Sequence, residues 1–188
     1  MVKNFFVYVL DLLKVVVISL AIIIPIRYFL IQPFYVKGAS MEPNFHDHEY
    51  LIIDEISYRL NTPKRGDIVV FRYPRDPQEY FIKRIIGLPG EKVELKDGRV
   101  MIYNQENPDG FILEEPYLPD GLKTYGGLGQ EKVDVDEGEY FVMGDNRNSS
   151  KDSRSFGPVD KSFITGRVAL RGWPLSKFSV FDTPEYQN

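Results

Sequence analysis

The sequence predicts a mainly β body behind a single membrane-spanning α-helix. Three observations carry this: an apolar run near the N-terminus, short apolar segments separated by Gly, Pro and Asp from Phe34 onward, and an Asp-Gly pair between two alternating stretches. With 188 residues and 43% apolar content, the chain can bury one core, and at most a small second lobe, beyond any membrane segment.

The first element is Leu12 to Ile31, built around VVVISLAIIIPI, with Lys14 and Arg27 near its ends. About 20 helical residues at about 1.5 Å each reach roughly 30 Å, the thickness of a hydrocarbon core. Lys14 and Arg27 can snorkel toward headgroups, Tyr28, Phe34 and Tyr35 suit an aromatic belt, and Pro25 sits near one end, where a kink costs least. A cleaved secretory signal is the alternative, since Lys3 opens the chain and Gly38 and Ser40 are small residues at a suitable separation. The run is longer than the roughly 7 to 15 residues of the apolar region in such signals, which favours an anchor. Basic residues flank both ends (Lys3, Lys14, Arg27, Lys37), so charge does not set the orientation.

The β segments follow. GDIVVFRYP (66–74) and YFIKRIIGLPG (80–90) read as strands, and KVELKDGRVMIY (92–103) reads as a hairpin turning at Asp97-Gly98, a type I′ pair. Residues 104–138, rich in Gly, Pro, Asp and Glu, predict an irregular excursion or small lobe. Strand character returns at Glu139–Met143 and Ile164–Leu170, and Ile52–Leu60 reads as a short helix.

Composition excludes several functions. The net charge is −4 with scattered basic residues, so no basic stripe exists to neutralise phosphates, and nucleic acid is not an expected partner. The absence of cysteine removes disulfides, a thiol nucleophile and thiolate metal sites. The HDH run (46–48) does not suit a Ser/His/Asp triad, whose members project from separate elements, and no further His or Cys completes a zinc site. A solvated turn is the expectation, with no metal or cofactor.

Ser40, in GASMEP, lies nine residues beyond Ile31, so even an extended link keeps it within roughly 30 Å of the bilayer. Alone, such a serine is an ordinary turn residue. With cysteine absent and HDH set aside, the candidate bases are Lys, Asp, Glu and Tyr. Lys83 stands out, because on a strand it shares a face with Phe81 and Ile85. Burial there disfavours the ammonium, and lowering its pKa from about 10.4 to about 8 costs roughly 3 kcal/mol. A strand-edge lysine snorkelling to water fits the same pattern. The polar run GDNRNSSKDSRSFG (144–157) reads as a solvated loop or as a dense network in which Asp145 or Asp152 pairs Arg147 or Arg154.

In this order, a transmembrane span, GASMEP, GDIVVFRYP, YFIKRIIGLPGEKV and GDNRNSSKDSRSFGPV resemble the successive motifs of bacterial type I signal peptidases, from residue 12 to about 172. The resemblance implies that fold and a Ser/Lys protease mechanism, with Ser40 as nucleophile and Lys83 as general base. It implies that Ser150 bonds the lysine amine, that Asp145, Asp152 and Arg154 brace the site, and that the Ser40 backbone N–H is one oxyanion donor. Many relatives carry serine where this chain has Gly38, whose backbone or a water is left to act as second donor. Asn44 replaces the family's threonine, and Ser149 stands first in the NS pair. Phe34, Val36, Met41, Phe45, Phe81 and Ile82 match the family's substrate pocket. A cytoplasmic N-terminus (1–11), a helix at 12–31 and an extracytoplasmic catalytic domain (34–188) are implied, at the cell membrane near the export channel, acting on preprotein signal peptides after Ala-X-Ala patterns. The alternative is a silent membrane-bound relative that binds preproteins or acts as a scaffold; both dyad residues stand against it.

Overall fold

The computed structural model describes residues 2–29, 32–126 and 132–181. Residues 30 and 31 of the expected span, 127–131 of the excursion and 182–188 of the catalytic domain lie outside these, as do the side chains of Arg27 and Tyr28.

Helix α1 is Val2–Phe29 and begins well before Leu12, because the sequence from Phe5 to Leu10 continues the apolar character toward the N-terminus. Its membrane-compatible stretch is Val7–Ile24, none of it buried by the rest of the chain. Lys14 lies within this stretch rather than at its edge. One helical turn away, Asp11 gives it a partner at 3.4 Å.

The strands that follow are β1 (Gln32–Tyr35), β2 (Tyr50–Asp54), β3 (Ile68–Tyr73), β4 (Asp76–Gly87), β5 (Lys92–Lys96), β6 (Arg99–Tyr103), β7 (Phe111–Ile112), β8 (Lys132–Asp134), β9 (Glu139–Met143), β10 (Val159–Asp160), β11 (Ile164–Trp173) and β12 (Ser179–Val180). Short helices α2 (Ser57–Leu60) and α3 (Ser153–Phe156) interrupt them. The expected helix at Ile52–Leu60 is therefore helical only over Ser57–Leu60, while residues 52–54 belong to β2. Placed between β1 and β11, the backbone of β2 finds ladder partners on both sides, and its alternating Leu51 and Ile53 are buried.

Among the described residues the chain forms two antiparallel sheets. The larger runs β1-β2-β11-β3-β4-β9-β10, with β12 beside β11; the smaller runs β7-β6-β5-β8. In the smaller sheet the β5–β6 hairpin pairs Lys96 with Arg99 around Asp97 and Gly98, whose φ values of 53° and 77° are the positive pair that a type I′ turn demands. The excursion thus contributes two short edge strands, β7 and β8, with irregular backbone elsewhere in its described part.

Three apolar clusters hold the body together. One joins the ends of β4 and β9 to the small sheet through Ile86, Phe141 and Met143 packed on Val93, Val100 and Ile102. A second, around Val69, Phe71, Ile85, Tyr140, Val142 and Val159, fills one face of the large sheet. The third gathers Val36, Met41, Phe45, Leu51, Ile53, Val70 and Val168 beneath the loop that follows β1. The large sheet is curled enough that Phe34 on its terminal strand meets Tyr80 on β4, with ring centroids 5.3 Å apart. A cleft lies between these two strands.

Candidate active site

Ser40 sits in the loop between β1 and β2. Val36 N–H donates to Glu49 O (2.9 Å) and His48 N–H donates to Val36 O (3.1 Å), so the loop leaves and re-enters the sheet through a closed pair. A helical turn, Phe45 N–H to Met41 O at 2.9 Å, sets both side chains into the core, where they are almost fully buried. The Asp47 carboxylate accepts the N–H groups of Gly38 (3.0 Å) and His48 (3.1 Å). The HDH run is therefore a turn, and one that shapes the site. Asp47 closes the loop around the serine, while His46 pairs with Glu42 and His48 with Asp47.

Lys83 enters from β4 directly opposite Val69 of β3, with Phe81 and Ile85 on its own face. It is 3% exposed, and its Nζ lies 2.7 Å from Ser40 Oγ and 2.7 Å from Ile82 O. Burial pushes its pKa down to about 8, working against the Asp152 and Asp145 carboxylates, which raise it, and with the Arg154 guanidinium, which lowers it. Such an amine is a substantial fraction neutral near pH 8. A neutral amine in contact with a hydroxyl can take its proton.

The surrounding ionic groups come from four segments. Arg84, on the opposite face of β4, grips Asp145 through Nε (2.9 Å) and Nη2 (2.7 Å) and reaches Gly66 O with Nη1 (3.0 Å). Its guanidinium stacks on Tyr117, 3.8 Å from the ring centroid. Asn44 Nδ2 donates to Asp145 Oδ2 (2.8 Å) and to Tyr117 O (2.9 Å), tying the serine loop to both. Arg147 forms a buried pair with Glu115 and donates to Thr124 Oγ1 (2.5 Å). Asp152 takes both Nε and Nη2 of Arg154 at 2.8 Å and accepts the Gly144 N–H at 3.0 Å. Burial alone would raise the Asp152 pKa; Arg154, Gly144 and Ser150 together hold it below the usual carboxylate range.

The expected pairing within 144–157 is thus only partly local. Asp152 meets Arg154, but Asp145 turns to Arg84 and Arg147 to Glu115 of the excursion. The physical reason is the register: Arg84 faces Met143 across β4 and β9, so Asp145, just beyond that strand, is the carboxylate within reach of a guanidinium that must otherwise be buried unpaired. The excursion braces the site from behind through Glu115, Tyr117, Thr124 and Tyr125, whose carbonyl accepts Arg154 Nη1 at 3.2 Å.

Ser150 Oγ is buried beside Gly144 and faces the Asp152 carboxylate that it helps to keep ionised; the lysine amine is turned to Ser40 and Ile82 instead. Gly38, expected to offer its backbone to an oxyanion, spends its N–H on Asp47. Among the described residues no acceptor pairs with the Ser40 N–H. Of the expected substrate residues, Phe34, Val36, Phe81 and Ile82 line a cleft of about 610 Å³ together with Ser40 and Lys83. Met41 and Phe45 lie beneath it in the core, and Leu51 and Val70, which sequence patterns did not single out, join the lining. Their apolar character on β2 and β3 was the available signal.

Residues 9–173 match the family model described as signal peptidase, peptidase S26. The chain belongs to that family. Signal peptidase I of Leptolyngbya laminosa is 36% identical over 180 residues, covering 92% of this chain and 83% of that protein. A probable signal peptidase I-2 of Synechocystis is 39% identical over 179 residues, covering 91% and 76%. Signal peptidase IB of Staphylococcus aureus is 33% identical over 184 residues, covering 90% and 92%. Membership makes the chain a hydrolase of the signal-peptide-processing class.

Proposed function

We propose that the chain is a membrane-anchored serine endopeptidase that removes signal peptides from exported preproteins through Ser40 and Lys83. The observation that carries this reading is the 2.7 Å contact between a buried amine of depressed pKa and the serine hydroxyl, at the floor of the cleft. Neutral Lys83 takes the Ser40 proton as Oγ attacks the scissile carbonyl, and the tetrahedral oxyanion is received by the Ser40 N–H. The ammonium then protonates the leaving amine, an acyl-enzyme forms, and the lysine, neutral again, activates the water that hydrolyses it.

The cleft suits an extended peptide. The outer edge of β1 is unpaired among the described residues, and β9 covers β4 only from Arg84 onward, so both lips offer backbone groups to an inserted strand. Bulky side chains, Phe34, Leu51, Val70, Phe81 and Ile82, crowd the space beneath that strand and favour small residues before the cut, as in Ala-X-Ala.

The unburied stretch Val7–Ile24 supports a bilayer anchor, roughly 27 Å long at about 1.5 Å per residue. Trp173, Leu175 and Phe178, all exposed near the end of β11, suit a body resting on the same interface. In this reading the residues before Val7 are cytoplasmic, rather than all of 1–11, and the β body stands on the outer face of the cell membrane, beside the export channel.

The test uses full-length protein in membranes with a radiolabelled preprotein. Wild type releases a mature chain whose new N-terminus follows a small residue, Ser40→Ala releases none, and external protease digests the β body of intact cells stripped of outer layers. Undiminished processing by Ser40→Ala would sink the mechanism. Protection of the body in sealed, right-side-out membranes would reverse the topology.

A further inference from the structure

The proposed reaction needs a strong donor at the Ser40 N–H, and Gly38 does not supply a second one from its backbone. The peptide that carries this donor is held from the opposite side. Asn146 Nδ2 donates to Ala39 O at 3.0 Å, and the Asn146 backbone N–H donates to Ser40 O at 3.1 Å. One residue therefore grips both carbonyls that flank the nucleophile. Ala39 O accepts a second bond, from Glu42 N–H at 3.2 Å, inside the same loop.

Ala39 C=O and Ser40 N–H belong to a single planar trans peptide and point in opposite directions. A donor on the carbonyl fixes the plane of that peptide and so the direction in which the N–H is aimed. It also draws electron density toward oxygen, which makes the N–H a better donor; cooperative strengthening of this kind is on the order of 10–30% per bond. The gain is greatest when charge develops on the substrate oxygen, in the transition state, and small when the carbonyl is neutral.

We infer that the Asn146 side chain is a positioning residue that aims and polarises the Ser40 N–H as the oxyanion donor. This rests on the reading of Ser40 as the nucleophile. It is assigned no contact with substrate, because it is not among the residues that line the cleft and bonds the peptide through the Ala39 carbonyl. Its chain neighbours Asp145 and Arg147 meet Arg84 and Glu115, so Asn146 is held between two residues anchored elsewhere and cannot drift from the carbonyls it grips.

The experiment compares full-length wild type, Asn146→Ala and Asn146→Leu on a signal-peptide substrate. Both variants keep the backbone N–H to Ser40 O, and leucine also keeps the volume without adding charge near Lys83. Loss of an entire oxyanion donor costs about 10²–10³-fold in turnover; weakening one is expected to cost about tenfold to a hundredfold. The expected result is a fall of that size in kcat for both variants, with KM unchanged and with the acid limb of the pH profile, set by Lys83, unmoved. A peptide aldehyde ending in alanine, which adds Ser40 Oγ to its carbonyl and develops the same oxyanion, weakens in parallel with kcat/KM, while the corresponding unreactive amide binds as before. Unchanged kcat in both variants overturns the inference, as does a loss accompanied by a shifted acid limb or a raised KM. Thermal unfolding read alongside separates a misfolded variant, and if alanine unfolds the loop the leucine variant carries the test. Cleavage by a Ser40→Ala control would instead strike down the underlying mechanism, so the two failures are distinct.

Discussion

Lys83→Met folds and loses at least about 10⁴-fold in turnover, measured on a preprotein under single-turnover conditions. Methionine matches lysine out to Cε and supplies no base, and members of a dyad act as a unit, so removing either leaves only binding and oxyanion stabilisation. A residual rate within tenfold of wild type would exclude Lys83 as the base. Wild type has its own signature: with the amine titrating at about 8, kcat/KM rises about tenfold per pH unit below that value and levels above it.

The same substitution reports on stability with a determined sign. Lys83 has a folded pKa of about 8 against an ordinary 10.5, so between those values the unfolded chain binds more protons than the native one. Stability therefore rises with pH across that window, and the cost of burying the lysine is fully present below about 8 and gone above 10.5. At roughly 1.4 kcal/mol per pH unit, the cost is about 3 kcal/mol at neutral pH. Urea unfolding of the detergent-solubilised chains should show wild type gaining that much relative to Lys83→Met between pH 7 and 10.5. Parallel pH dependences would mean that the amine is not buried as described.

The sequence carried more of the fold than of the site's wiring. Strands β3, β4, β9 and β11, and the Asp97-Gly98 turn, are legible because each depends on local periodicity or on a backbone conformation that few residues adopt. Ile52 misleads, since the short apolar run Leu51–Ile53 fits either period, and only the pairing of β2 with β1 and β11 decides it. The Asp145–Arg84 pair is less visible still, as the partners are 61 residues apart and meet through strand register. One signal was present: Lys83 and Arg84 are adjacent on an apolar strand, so their side chains enter opposite faces and both need polar company. The brace from Glu115 and Tyr117 had no local signature, because irregular backbone follows no period.

Gly144→Ala is expected to cost about 10²-fold or more in kcat, because a side chain there meets both Ser40 and Ser150. The backbone at Gly144 does not have a positive φ, so alanine meets no conformational penalty there. Its methyl carbon, however, would lie 2.2 Å from Ser150 Oγ, 2.6 Å from Ser150 Cβ and 2.4 Å from Ser40 O. The Ser150 hydroxyl can turn away but its Cβ cannot, so the loop at Ser150 must shift; the Ser40 carbonyl cannot move without its chain either, and it is already held by the Asn146 N–H. Part of the strain therefore falls on the peptide of the nucleophile, where a displacement of about 1 Å is enough to cost about a hundredfold in rate. Ser150→Gly in the same chain discriminates between the two clashes. Measured against Ser150→Gly alone, the double variant should still show most of the Gly144→Ala loss. Full recovery would locate the conflict at Ser150, and wild-type kcat in Gly144→Ala would mean that the serine loop tolerates a shift that the packing around Met41 and Phe45 should forbid.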